Sequence, residues 1–136
     1  MKKSFIIFVS FMALFVWLIP AFVSAQQEGV EELRQLMENT TPEQRAHFQD
    51  HWMKKDLNLS NDQAAKVGKI NLRTAKRMQS IYEAREGRFR KFRQLMMARD
   101  AKDSELQNVL TGAQFSKYQA KKEEMWQKMH KMRKMK

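Results

Sequence analysis

The stretch Leu59-Ser60-Asn61-Asp62-Gln63 opens the longest patterned run in the chain, and its reading decides the fold. Ser60 offers a hydroxyl to the backbone N–H three residues on, and Gln63 offers a carbonyl back to the Ser60 N–H. This reciprocal capping box is a helix start. After it, apolar side chains fall at Val67, Ile70, Met78, Ile81, Phe89, Phe92 and Met96. Thr74 and Arg85 fill the same rotation, so the steps alternate between three and four residues, close to one α-helical turn. The spacing predicts one long amphipathic helix from Asn61, running to about Val109 because Leu106 and Leu110 fall near the same stripe. Gly87 costs about 1 kcal/mol inside such a helix and marks a place for a bend. Asp100 to Ser104 is a second place where the helix is open to interruption.

The flanking segments repeat the grammar. Leu110-Thr111-Gly112-Ala113-Gln114 is another capping box, with Phe115 placed to staple against Leu110. The helix it starts carries Phe115, Tyr118, Met125, Met129 and Met132, with Lys122 breaking the row. Its basic end suits the negative pole of a helix dipole. On the other side, Thr41-Pro42-Glu43-Gln44 is a third box, with proline at the first helical position. The helix after it carries Phe48 and Trp52 on one face and should end near Lys55. Leu57-Asn58-Leu59 then forms a short apolar link. Before Thr41, Val30, Leu33, Leu36 and Met37 suggest a short, frayed helix within residues 26–40.

The chain begins differently. Lys2 and Lys3 precede an apolar run from Phe5 to Ile19 interrupted only by Ser10, then Pro20, then Val23-Ser24-Ala25. A positive start, an apolar stretch and small residues at the cleavage positions predict a cleaved secretory signal peptide over residues 1–25. The predicted organisation is therefore that signal, a segment over 26–40, and a helical domain over 41–136.

Composition narrows the function classes. There is no cysteine, which excludes a disulfide scaffold, a cysteine zinc site and a thiol enzyme. Four glycines and two prolines are too few for the turns of a β-sandwich or small barrel. The formal charge is +11, with 26 basic and 15 acidic residues; losing Lys2 and Lys3 with the signal leaves +9. Leu, Ile, Val and Phe make up only 17 of the 111 residues after Ala25. So low a share with high charge often means disorder. Three capping boxes and regular stripes argue instead for ordered helices with thin cores, for which a homodimer is the natural remedy.

The two boxes at Leu59–Gln63 and Leu110–Gln114 resemble the LTxxQ motif, with Ser60 preserving the hydroxyl of the usual threonine. Two copies separated by one long basic helix, after an export signal and without cysteine, are similar to the Spy/CpxP family of exported helical proteins. The motif residues are Leu59, Ser60, Gln63, Leu110, Thr111 and Gln114, and the likeness spans roughly residues 41–122. It implies an all-α fold: a four-helix elongated hairpin with one long central helix, paired as a cradle-shaped antiparallel homodimer in the periplasm. It also implies ATP-independent chaperone activity toward unfolded or misfolded envelope proteins. The alternative it carries is a stress or heavy-metal sensor acting on a membrane signalling partner.

The candidate client surface interleaves cations with apolar side chains: Arg77, Met78, Arg85, Arg88, Phe89, Arg90, Lys91, Phe92, Arg93, Met96 and Met97. Cations steer acidic chains, and nearby apolar groups hold them. Nine methionines after residue 25 suit a surface that accepts many shapes, though methionine also fills loose cores. Basic–aromatic interleaving also occurs in single-strand nucleic-acid grooves. Export makes nucleic acid a poor partner, and none is expected. A cationic helix lying on anionic lipid is a further reading of the same charge.

His47 and His51, four apart, share a helix face and are the metal candidates, with His130 as a third ligand through a dimer. Two imidazoles do not make a site, so no metal and no cofactor is assigned. No phosphate loop and no nucleophile–base set can be assembled, so the chain is read as a non-enzyme.

Overall fold

All three predicted capping boxes close. Thr41 Oγ1 accepts the Gln44 N–H at 3.1 Å and Gln44 Oε1 accepts the Thr41 N–H at 2.9 Å. Ser60 and Gln63 exchange bonds of 3.2 and 3.1 Å, and Thr111 and Gln114 bonds of 3.2 and 3.0 Å. Each box satisfies two backbone N–H groups that a helix start leaves orphaned.

A computed structural model describes the backbone of residues 31–132 and the side chains of residues 31–125 and Lys128. Among the described residues the protein is all-helical. α1 covers residues 31–39, α2 Pro42–Asp56, α3 Asn61–Glu83, α4 Arg88–Val109 and α5 Gly112–Met132. The signal-peptide reading lies outside the described residues, as do the side chains of Met129, His130, Met132 and Met135. No described helix is long and apolar enough to cross a membrane.

The expected single helix over 61–109 is two helices. Ala84 leaves the helix at φ −59°, ψ 143°, and Gly87 caps the next at φ −61°, ψ 146°. Two physical reasons favour the break. Gly87 escapes the interior of a helix, where it is costly. A continuous helix would also set Arg85 one turn before Arg88 as a like-charge neighbour. The break is held by Lys91, whose ammonium donates to the Tyr82 carbonyl at 2.7 Å, and by Gln94 donating to Glu86 at 3.0 Å. Asp100 to Ser104, the other suspected interruption, is uninterrupted helix.

The residues from Leu36 onward pack as one unit. α2 and α3 run antiparallel: Arg45 donates to Gln79 at 2.6 Å, and Asn71 donates to Asp50 at 2.7 Å. α3 and α4 also run antiparallel, because the break folds α4 back along α3. Gln63 donates to the Val109 carbonyl at 3.1 Å near one end, Arg73 pairs with Glu105, and Lys91 meets Tyr82 at the other end. α5 binds α4 through Asp103, which accepts from Tyr118, Gln119 and Lys122, and binds α2 through Lys121 and Asp56.

The core gathers where the α2–α3 and α4–α5 turns meet. Trp52, Met53, Leu57 and Leu59 pack with Val67, Ile70, Leu106, Leu110, Tyr118 and Met125, flanked by Phe48 and Phe115. The α3 half of the predicted stripe is buried at Val67, Ile70, Thr74, Met78 and Ile81. Leu59 and Leu110, the residues before two caps, are both core residues. The capping boxes thus position the chain ends of the core as well as the helix starts. This cluster assembles within a single chain.

Candidate functional site

The basic–aromatic face sits on the first turns of α4, just past the break. Phe89 is 79 % exposed, Phe92 60 % and Met97 55 %, an unusual exposure for such large apolar groups. Arg85, Arg88, Arg90 and Arg93 around them are exposed too. With Arg77 and Ile81 of α3, residues Phe89, Arg90, Arg93, Gln94 and Met97 line an open groove of about 780 Å³. Its lining holds three guanidinium groups and no carboxylate. The groove exists because the chain breaks at residues 84–87, which frees the first turns of α4 from the stripe that buries α3.

The structure redistributes the other predicted site residues. Met78 is buried in the core and takes no part in this surface. Lys91 is half-buried, bonded to the Tyr82 carbonyl and lying 5.7 Å from the Tyr82 ring centre, so it serves the break. Met96 is half-buried beside the exposed Met97. Met37, Met53 and Met125 are core fillers, the plainer of the two roles open to methionine. Gln94 and Ile81 join the groove, though in sequence Ile81 reads only as part of the apolar stripe and Gln94 not at all; their signal is position, one turn from Arg90 and from Arg77.

His47 and His51 both lie exposed on α2. Among the described residues no group of three or more His, Cys, Asp or Glu side chains is placed to hold a metal ion. The side chain of His130, the proposed third ligand, lies outside the described residues.

A second polar cluster was not legible as a stripe. Lys102 is 7 % exposed, on the α4 face that also buries Ala98 and Leu106. Its ammonium donates to Gln49 Oε1 at 2.6 Å. Burial lowers its pKa to about 8, the charges of Asp103 and Asp50 opposing the shift and Arg99 adding to it. Burial pushes the neighbouring Asp103 carboxyl upward, but hydrogen bonds from Lys122, Tyr118 and Gln119 outweigh it and leave the group below its ordinary value. Tyr118 is buried and donates to Asp103 at 2.9 Å; burial, with the Asp103 charge and this bond, holds its phenol well above the ordinary range. Ala98, Lys102 and Leu106 are spaced i, i+4, i+8, and that spacing is the sequence signal for Lys102.

The family described as a domain of unknown function (DUF4890) matches residues 25–118. The chain belongs to the DUF4890 family. The match begins at Ala25, the residue predicted to precede export cleavage, and takes in α2, α3, α4 and the start of α5. Both LTxxQ-like boxes of this DUF4890 chain, and the groove between them in sequence, fall within it. No curated protein and no solved structure matches the chain.

Proposed function

We propose that this DUF4890 protein is an exported, ATP-independent chaperone that binds unfolded or damaged envelope proteins and limits their aggregation. The observation that carries the reading is the exposure of Phe89, Phe92 and Met97 among Arg88, Arg90 and Arg93, beside a groove with no carboxylate in its lining. Exposed apolar groups of this size usually serve recognition. The surrounding guanidinium groups steer acidic, partly unfolded chains to them and raise the rate of encounter. No nucleotide-binding loop is present in the sequence, so capture draws on diffusion and contact. The periplasmic location rests on the export pattern of residues 1–25. Resemblance to the Spy/CpxP family in the two boxes supports both the activity and an antiparallel homodimer as its working form.

The test is light scattering of a chemically unfolded client mixed with the chain from Gln26 onward. Equimolar protein should suppress aggregation, and added salt should slow capture because it screens the guanidinium field. Unchanged scattering at several-fold excess sinks the proposal. Vesicles of anionic lipid form a parallel arm: co-sedimentation without client protection transfers the surface to a membrane role.

A further inference from the structure

We propose that the polar pocket at the centre of the helices holds a single chloride-sized monovalent anion against the Lys102 ammonium. The pocket has a volume of about 30 Å³ and is lined by Met37 and by residues of α2, α3, α4 and α5. That is room for a small ion or a water or two. Four cations face it, Arg45, Arg99, Lys102 and Lys122, against one carboxylate, Asp103.

The carboxylate is already committed. Its Oδ1 accepts from Tyr118, and its Oδ2 accepts from Gln119 and from Lys122 at 2.8 Å. Lys102 has three N–H donors and, among the described residues, one hydrogen bond, to the neutral Gln49 amide. Among the described residues it joins no ion pair. Asp50, the other carboxylate that acts on it, gives its Oδ1 to Asn71. Asp103 and Asp50 act on Lys102 without closing an ion pair with it, and a buried ammonium with no directly bonded counter-charge is costly. Water in the pocket accepts the spare donors but leaves the ammonium without a bonded counter-ion. A halide does both, and it is little larger than water. Its occupancy ties together α2 through Gln49, α4 through Lys102 and α5 through the Asp103–Lys122 pair.

The test uses the chain from Gln26 onward in sodium bromide, sodium chloride and sodium gluconate at equal ionic strength. Either halide at tenfold its Kd should raise Tm by roughly 5–10 °C over gluconate, the size expected for one native-state ligand on a domain of this length. Lys102→Gln keeps a donor but removes the charge, and should abolish the difference. Crystals grown in bromide should show an anomalous peak within hydrogen-bonding distance of Lys102 Nζ. Density there without anomalous signal means water and overturns the proposal, as does an equal halide effect in Lys102→Gln. If that variant does not fold, the bromide crystal of the unaltered chain decides alone.

Discussion

Gln63 and Gln114, 51 positions apart in sequence, hydrogen-bond each other in both directions through their side-chain amides. Gln63 Nε2 reaches Gln114 Oε1 at 2.8 Å, and Gln114 Nε2 reaches Gln63 Oε1 at 3.2 Å. Each amide also binds a carbonyl at the other turn: Gln63 that of Val109, and Gln114 that of Leu57. Each carbonyl oxygen meanwhile closes its own capping box. One pair of side chains therefore caps two helices and fastens the two turns over the core.

Removing either amide orphans groups in both turns. Gln63→Met and Gln114→Met should each cost about 1–3 kcal/mol in urea unfolding, the cost of unsatisfied partly buried polar groups. Because the two residues share their bonds, the double variant should fall short of the sum by roughly 1 kcal/mol. Strict additivity would mean that the pair contributes only as two separate caps.

Alkaline pH should first strengthen the fold and then weaken it. Burial holds the Lys102 pKa near 8 in the folded chain, against an ordinary 10.5. Between these values the unfolded chain binds more protons, so stability rises with pH. The whole gain is on the order of 3 kcal/mol at most. Tyr118 acts in the opposite sense: its phenol is raised above the ordinary 10.0, so the unfolded chain loses a proton first and stability falls above about that pH. Urea midpoints in gluconate buffer should therefore peak near pH 10, and Lys102→Met should flatten the rise below the peak. A steady decline from pH 8 in the unaltered chain would contradict the burial of Lys102.

Gly87 starts α4 without a side-chain cap, and a Cβ built there meets nothing within 4 Å. Its φ of −61° suits any residue. Gly87→Ser should stabilise the protein by about 0.5–1 kcal/mol, through a cap hydroxyl and a less flexible unfolded chain. Thermal unfolding checks this; a loss of stability would show that the break needs glycine itself.

Stability and client capture should separate at the exposed rings. Phe89→Ser with Phe92→Ser removes exposed apolar area only, so unfolding should shift by about 0.5 kcal/mol or less. Aggregation suppression should fall to the level of buffer. A large loss of stability would instead assign both rings to a buried interface between two copies.

The sequence by itself determined the local structure. Thr41, Ser60 and Thr111 announce three helix starts because a cap and its partner lie within four residues, and the α3 stripe from Val67 to Ile81 announces a buried face by its period. The same periodicity carried on through Arg85 to Met96 and predicted one helix where there are two. Period reports which residues share a face, and it does not report whether a partner covers that face. Only the tertiary structure decided that Ile81 is buried while Phe89, two turns on in the same stripe, is open. It also decided that Met78 leaves the candidate surface, that Lys102 is enclosed, and that Gln63 meets Gln114. Each of these depends on α4 folding back along α3, which brings together residues distant in sequence.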